Sequence, residues 1–117
     1  MGAGQRTNPG QVAAMTYRLI IRIEAEVDIT DAAIWYQNQQ AKLGEEFVTE
    51  IHASIERDLV NPRQFPRLRR NPDVRRVLTN RFPYRIFFVL RPDALIVFRV
   101  LHSSRHDREW RKNLPEH

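Results

Sequence analysis

The chain has 117 residues, enough for one hydrophobic core and too few for two comfortable domains, so we expect a single domain. It contains no cysteine, which excludes disulfide frameworks and cysteine-based metal sites. No apolar run approaches the length of a membrane span, and the N-terminus lacks the apolar core of a signal peptide. We therefore expect a soluble cytoplasmic protein without membrane association.

The net charge of +5 conceals an asymmetry between the two halves of the chain. Residues 1 to 60 hold five basic and nine acidic side chains, whereas residues 61 to 117 hold fourteen basic and five acidic ones. Seventeen of the nineteen basic residues are arginine, whose planar guanidinium suits phosphate and carboxylate groups. The second half therefore favours binding to nucleic acid or to an acidic protein, with a solvated basic face as the simpler interpretation.

The first sixteen residues differ in composition from the rest. They are rich in glycine, include Pro9 and show no apolar periodicity, which predicts a disordered extension outside the fold. Met15 immediately precedes the first predicted strand, so it is a candidate for the true initiator in place of Met1. The folded domain is expected to span residues 17 to 114.

One strand and two helices are predicted in the first half of the domain. Residues 17 to 25 are rich in β-branched side chains and predict a strand. Asp28 and Thr30 are N-cap candidates for a helix over residues 30 to 41. A second helix follows directly and ends before Pro62, and its apolar residues recur every four positions. These residues are Phe47, Ile51, Ile55 and Leu59. The short connection predicts a helical hairpin.

Three strands are predicted in the second half. An arginine-rich loop punctuated by prolines, over residues 61 to 73, leads to a strand over residues 74 to 78. Residues 82 to 105 then predict a β-hairpin whose tight turn contains Pro92 and Asp93, both favoured turn formers.

A short helix that begins at Asp107 and ends at Pro115 is expected to close the chain. The order β-α-α-β-β-β-α predicts an α+β fold, with the helical hairpin packed on one face of a mostly antiparallel four-stranded sheet. Trp35 and Tyr36 on the first helix are expected to pack in the core and not to stack on bases.

Both faces of the predicted β-hairpin are largely apolar, so both need cover. Pairing Leu90 with Leu95 divides the side chains between two faces. One face holds Arg85, Phe87, Val89, Ile96, Phe98 and Val100, with His102 at its end; the other holds Tyr84, Ile86, Phe88, Leu90, Leu95, Val97 and Leu101. The helices can cover one face. The face with Arg85 is either a binding surface or the site where the C-terminal tail folds back.

Several arginines are candidates for contacts with nucleic acid or a target protein. Arg75 and Arg76 are adjacent on a predicted strand and must point to opposite faces, so at most one of them can join Arg85. Arg81 is the fourth candidate arginine for these contacts. The sequence has no clustered metal-ligand spacing and no glycine-rich phosphate loop, so neither a metal nor an organic cofactor is expected.

A series of short motifs runs along residues 17 to 110. They are Trp35-Tyr36, Leu43-Gly44 with Phe47, Asn61-Pro62 leading to Phe65-Pro66, Val74-Arg75-Arg76, Phe82-Pro83-Tyr84-Arg85-Ile86, and Val100-Leu101-His102 with Arg105 and Trp110. In this order and spacing they resemble the RelE/ParE superfamily of toxins from bacterial type II toxin-antitoxin systems, which includes plasmid stabilisation proteins.

The resemblance implies a small growth-inhibiting toxin that a cognate antitoxin neutralises. The antitoxin would cover the second apolar face of the hairpin, with Phe87, Val89 and Phe98 as its contacts. Operator DNA would be bound only through the antitoxin.

The superfamily divides by activity: RelE-like members cut messenger RNA in the ribosomal A site, and ParE-like members block DNA gyrase. Cleavage needs a base for the 2′-hydroxyl, cations for the charged phosphorane and an acid for the leaving oxygen. By resemblance to the nucleases, Arg85 matches a phosphate-binding arginine and Arg105 a second arginine. Leu78, however, stands where those nucleases have a catalytic lysine, and their catalytic tyrosine falls near Trp110 and Arg111.

His102 could supply the missing acid or base, with His106 as a weaker candidate. The simpler interpretation of His102 is a strand-end residue hydrogen-bonded to Arg105 or Asp107. Because the usual lysine and tyrosine are missing, the sequence favours a ParE-like gyrase inhibitor. A RelE-like ribosome-dependent endonuclease and an inactive binding module with the toxin fold are the alternatives.

Overall fold

The computed structural model describes residues 17 to 105 and 107 to 115. The predicted N-terminal extension, the choice between Met1 and Met15, and His106 lie outside the described residues. The helices and strands are β1 (Arg18–Ile21), α1 (Ile23–Gln39), α2 (Leu43–Asp58), β2 (Arg67–Arg69), β3 (Asp73–Leu78), β4 (Tyr84–Leu90) and β5 (Ala94–His102). Short 3-10 turns lie at Pro62–Gln64 and at Asp107–Asn113, so a 3-10 turn replaces the expected C-terminal helix.

The strands form one five-stranded sheet in the order β1-β5-β4-β3-β2. β1 runs parallel to β5, and the other neighbours are antiparallel. The two helices form a hairpin on one face of this sheet, which confirms the α+β prediction with one strand more than expected. The additional strand, β2, lies in the arginine-rich segment that was predicted as a loop over residues 61 to 73. Its three residues carry little sequence signal, and they pair irregularly with β3.

Helix α1 begins at Ile23, well before the start predicted at Thr30. The predicted strand over residues 17 to 25 ends at Ile21, and its last residues belong to the helix, where Ala25, Ile29 and Ala32 are buried at helical spacing. Asp28 therefore lies inside the helix and not at its N-cap. The second predicted helix is correct in its apolar stripe, whose four residues are all buried.

A β-bulge in the β4-β5 hairpin changes which side chains share a face. Leu90 pairs with Leu95 as predicted, but the register shifts between Phe87 and Phe88. Phe88 pairs with Val97 and Phe87 with Arg99, so the residue between them on β5 has no partner on β4. The prediction assumed an uninterrupted ladder, which cannot include such a residue.

Beyond the bulge, the side chains of β5 lie on the opposite sheet faces from those predicted. Val100 packs in the core beneath the helices and Leu101 in the cluster on the other face, the reverse of the prediction. His102 likewise lies opposite Tyr84, whereas Arg85 lies opposite Leu101. The expectation that His102 shares the face of Arg85 is wrong, because one extra residue moves every later side chain to the other side.

The face of the sheet away from the helices carries a second core. It consists of Val74, Phe87, Val89, Ile96, Phe98, Leu101 and Trp110, with Ile20, Leu68 and Leu114 packed against it. Trp110 is 3% exposed and stacks on Phe87 with ring centroids 6.3 Å apart. The C-terminal turn thus covers this face, as one of the two sequence alternatives proposed. Phe87, Val89 and Phe98 are at most 1% exposed, so they form no open binding surface in this structure.

Candidate functional site

A cleft of about 550 Å³ opens between α1 and the ends of β4 and β5. Helix α1 provides one wall, and the strand ends with the turn that follows provide the other. The lining residues are Asp28, Asp31, Ala32, Trp35, Tyr36, Tyr84, Val100, Leu101, His102, Ser104 and Arg105. Carboxylates on the helix therefore face an imidazole and a guanidinium across an aromatic floor.

His102 is held in place by the turn after β5. The backbone N–H of Ser104 lies 3.0 Å from Nδ1 of His102, and because an N–H can only donate, Nδ1 accepts this bond. The Ser104 hydroxyl lies 2.8 Å from the same nitrogen. The imidazole packs edge-on against Tyr84 with centroids 5.2 Å apart. The imidazole thus bonds to Ser104 and not to the predicted Arg105, whose backbone N–H donates to the carbonyl of His102 at 2.9 Å.

Tyr84 forms part of the cleft floor and stays protonated at neutral pH. Burial, together with the neighbouring Tyr36, raises the pKa of Tyr84 to about 12. Its phenol can donate a hydrogen bond to a ligand in the cleft, but it is a poor general base.

The aromatic pair on α1 divides between core and cleft. Tyr36 packs against the helix-side core and stacks on Phe47 with centroids 5.2 Å apart, as predicted. Trp35 is 58% exposed at the edge of the cleft, so its predicted place in the core is wrong. Trp35 and Asp31 were not recognised as cleft residues from the sequence, because their position depends on where α1 begins.

Arg85 lies outside this cleft. Its guanidinium donates to the backbone carbonyls of Ser103 and, at 3.1 Å, Arg105. It thereby fastens the turn after β5 from the side opposite His102. Arg105 does line the cleft, and its guanidinium lies 3.5 Å from a carboxylate oxygen of Glu109. The structure therefore brings His102 and Arg105 together at the cleft but leaves Arg85 on the other side of the turn.

The two positions compared with the nuclease lysine and tyrosine also lie away from the cleft. Leu78 pairs with Arg85 at the end of β3 and is 61% exposed. Trp110 is buried in the second core. Neither side chain can take part in proton transfer.

The candidate target-binding arginines occupy three different environments. Arg75 is 6% exposed; its guanidinium binds both carboxylate oxygens of Asp73 and the carbonyls of Arg63 and Phe65. Arg75 is therefore committed to holding the loop after α2. Arg76 points to the opposite face, as adjacent strand residues must.

Arg76 pairs with Phe87 and Leu78 pairs with Arg85, so Arg76 and Arg85 lie on the same face of the sheet. Arg81 lies elsewhere, in the turn between β3 and β4. It forms an ion pair with Glu46 on α2, and its guanidinium carbon lies 5.0 Å from the centre of the Phe82 ring. Only the face with Arg76 and Arg85 joins two of the four candidates.

Within residues 17–105 and 107–115, no group of three or more His, Asp or Glu side chains is arranged to hold a metal ion. None of the helices in that same part of the chain has the length and apolar character needed to cross a membrane.

Comparison with known proteins identifies the family. The model of the ParE toxin of the type II toxin-antitoxin system, parDE, matches residues 19–107. The match extends over most of the chain, so the protein is a toxin of the RelE/ParE superfamily. Within that superfamily it belongs to the ParE toxin family of type II toxin-antitoxin systems, whose members are paired with a cognate antitoxin.

A solved structure agrees with this assignment at the level of the fold. The chromosomal ParDE TA system from P. aeruginosa contains a chain that matches with a TM-score of 0.66 and 17% sequence identity. The match covers 75% of this chain and 97% of that chain. No curated protein matches the sequence.

Proposed function

We propose that this protein is a toxin that inhibits DNA gyrase, the activity that its resemblance to ParE-like toxins implies. The observation that supports this proposal is the separation of the residues a RelE-like nuclease would need. His102 lies opposite Tyr84, whereas Arg85 lies opposite Leu101, so the two side chains start from opposite faces of the sheet. The positions compared with a lysine and a tyrosine hold Leu78 and the buried Trp110.

This separation matters because phosphodiester cleavage is a reaction at one phosphate. A base, an acid and at least one cation must lie within hydrogen-bonding reach of that group. Here His102 and Arg85 start from opposite faces of the sheet, and Arg85 lies outside the cleft that His102 lines. Inhibition of an enzyme by binding has no such requirement, and a basic surface suffices for it.

For the target contact we propose the sheet face that carries Arg76 and Arg85, with Arg81, in the turn between β3 and β4, as a further contact. Two guanidinium groups on one face, in the strongly basic half of the chain, suit an acidic protein surface or a protein-DNA complex. Arg75 has no part in this proposal, because its guanidinium is buried in bonds to its own chain. An antitoxin that contacts Phe87, Val89 or Phe98 would have to displace the turn with Trp110.

The RelE-like alternative rests on one observation of its own. His102 and Arg105 line the same cleft as Tyr84, which supplies a phenolic donor. An imidazole and a guanidinium at one cleft are two of the groups that cleavage of RNA requires. This reading predicts that His102→Ala abolishes toxicity while the protein remains folded.

Purified toxin titrated into a DNA gyrase supercoiling assay tests the proposal. We expect loss of supercoiling with the wild-type chain and about tenfold weaker inhibition by Arg76→Ala, which removes one surface cation from the proposed contact. Arg57→Ala is the matched control: it removes the same charge from an exposed pair with Asp58 on α2 and should inhibit like the wild type. Supercoiling that persists at saturating toxin would refute the proposal.

Expression in a bacterial host separates the remaining alternatives. Growth arrest with DNA damage, intact transcripts and tolerance of His102→Ala is the expected result. New transcript ends at codon-phased positions would establish a ribosome-dependent nuclease instead. Normal growth would indicate an inactive protein with the toxin fold, and both outcomes contradict gyrase inhibition.

A further inference from the structure

Arginines that are distant in sequence meet at one end of the sheet. Arg18 is the first residue of β1 and pairs with Ala94, the first residue of β5. Arg91 directly follows β4, in the turn that leads to Ala94. The start of β1, the start of β5 and the end of β4 therefore share one end of the sheet, and Arg18 and Arg91 lie there.

The turn between β2 and β3 lies at the same end. Asp73, the first residue of β3, pairs with Leu90, the last residue of β4. Arg69 ends β2, and Arg70 follows it in the turn. Neighbouring strands are about 4.8 Å apart, so the arginines form a row about 19 Å long across the five strands. We give the name arginine end to the four residues of this row, which are Arg18, Arg69, Arg70 and Arg91.

Three of these side chains are open to solvent and stand on a fixed backbone. Arg18, Arg69 and Arg70 are exposed. The Nε of Arg69 donates to the backbone carbonyl of Asn71 at 3.1 Å, which uses one of the five N–H donors of the guanidinium and holds it at the turn. The backbone N–H of Arg18 donates to the carbonyl of Asp93 at 2.8 Å, so the start of β1 is fixed to the β4-β5 turn.

Little negative charge offsets the arginine end. The Oδ1 of Asp73 already has two guanidinium partners, with Nε of Arg75 at 3.0 Å and Nε of Arg67 at 3.3 Å. Asp93 in the β4-β5 turn offsets one charge. Residues 59 to 72 contain four arginines and no acidic side chain. This end of the sheet is therefore net positive and suits a polyanion.

Protection of the sheet edges explains only part of the row. Charged side chains on edge strands prevent other chains from pairing there, and β1 and β2 are the two edge strands. Arg18 and Arg69 fit that role. Arg70 and Arg91 lie in turns, where there is no strand edge to protect. A ligand that contacts the whole row accounts for all four residues.

The arginine end suits a nucleic-acid duplex better than a single strand. Proteins that bind single strands stack the bases on exposed aromatic side chains. Within residues 17–105 and 107–115, the one exposed aromatic residue is Trp35, which lies at the cleft, at the other end of the strands. The phosphates of a duplex need only cations, and they supply about one negative charge per 1.7 Å of helix axis. A row of about 19 Å therefore spans several phosphates.

We propose that the arginine end binds the phosphate backbone of duplex DNA. Such a contact involves no bases, so it is not recognition of an operator sequence. The choice of DNA over duplex RNA rests on the proposed function, because gyrase acts on duplex DNA. A toxin bound to that DNA is held beside its target. Arg85 lies at the opposite end of the strands, so the DNA contact and the proposed target contact are separate surfaces.

Fluorescence anisotropy of a labelled DNA duplex, titrated with the full-length toxin at several salt concentrations, tests the proposal. The logarithm of the binding constant should fall with the logarithm of the salt concentration with a slope of about −3, because each neutralised phosphate contributes about 0.9. Replacing both Arg18 and Arg70 with alanine should bring the slope to about −1 and weaken binding at least about tenfold at low salt.

The matched control replaces Arg22 and Lys112 with alanine. It removes the same two positive charges from surface ion pairs with Glu24 and Glu109, at the other end of β1 from Arg18. The slope and the affinity of this control should stay close to the wild-type values. Circular dichroism confirms that each variant is folded.

Three results would overturn the inference. The first is the absence of salt-dependent binding to the duplex. The second is a wild-type slope in the variant without Arg18 and Arg70, which would place the DNA on another surface. The third is tighter binding to duplex RNA or to poly-glutamate, which would identify RNA or an acidic protein as the partner.

Supercoiling by gyrase is measured separately from DNA binding. DNA binding without gyrase inhibition would refute the proposed function and leave this inference intact. Gyrase inhibition without DNA binding would overturn this inference and leave the proposed function intact.

Discussion

Asp28 on α1 holds Arg99 on β5 through two parallel hydrogen bonds, with Nε at 2.7 Å and Nη2 at 3.0 Å from its two carboxylate oxygens. The same carboxylate accepts the backbone N–H of Val100 at 2.9 Å, beside the β-bulge. Arg99 also donates to the side-chain oxygen of Asn113 in the C-terminal turn. One carboxylate thus connects the helical hairpin, the bulged strand and the turn that covers the second core.

Loss of this carboxylate should destabilise the whole fold. Asp28→Ala leaves a largely buried guanidinium without its counter-ion and the Val100 N–H without its acceptor, so we expect the free energy of unfolding to fall by about 3 kcal/mol. Urea denaturation followed by circular dichroism measures the change. Arg57→Ala, which breaks an exposed pair with Asp58, should cost less than about 1 kcal/mol. Equal losses in the two variants would contradict the assigned role of Asp28.

Replacing Arg75 should destabilise the fold, whereas replacing a nearby exposed arginine should leave stability nearly unchanged. Arg75→Ala leaves Asp73 and the carbonyls of Arg63 and Phe65 without their buried donor, and we expect a loss of about 3 kcal/mol. Thermal denaturation measures this loss. Arg70→Ala, in the exposed turn before β3, is the control and should change stability by less than about 0.5 kcal/mol. If the Arg75→Ala protein keeps wild-type stability but binds the target more weakly, then Arg75 contacts the target and does not hold the loop.

The two tryptophans should report on two different parts of the molecule. Trp110→Ala removes the side chain that covers Phe87 and Phe98, so we expect a loss of about 3 to 5 kcal/mol. Trp35→Ala, at an exposed position, should cost less than about 1 kcal/mol. Chemical denaturation gives both values, and acrylamide should quench Trp35 fluorescence far more than that of Trp110. Strong quenching of both residues would show that the C-terminal turn does not cover the second core.

Stability should also depend on Tyr84 at alkaline pH. The pKa of Tyr84 is raised from 10.0 to about 12 in the folded protein, so the unfolded chain loses this proton first as the pH rises. The stabilisation is fully present below pH 10 and disappears as the pH passes through about 12. Denaturation between these limits should show a smaller decline for Tyr84→Phe than for the wild type. Tyr17→Phe is the control, and a wild-type decline in Tyr84→Phe would contradict the assignment.

Much of the fold could be read from the sequence because it depends on local pattern. The four-residue repeat from Phe47 to Leu59 predicted α2, and the two apolar runs on either side of the turn at Pro92 predicted the hairpin and the pairing of Leu90 with Leu95. These signals are strong because turn geometry and periodicity act within a few residues. The candidate site was predicted less completely. His102 and Arg105 do line one cleft, but the guanidinium of Arg75 is buried in hydrogen bonds to the loop before β3.

The sequence by itself determined the α+β class, the amphipathic second helix, the apolar hairpin and the division into an acidic and a basic half. Tertiary structure alone decided where α1 begins, because residues 23 to 27 mix strand-forming isoleucine and valine with helix-forming glutamate and alanine, and packing on the sheet decides between the two. The β-bulge between Phe87 and Phe88 was also visible only in the folded structure, because no local sequence pattern predicts it. This bulge places His102 and Arg85 on opposite faces of the sheet. Burial of a charged or apolar group depends on residues distant in the chain, and for this reason the roles of Asp28, Arg75 and Trp110 became visible only in the folded molecule.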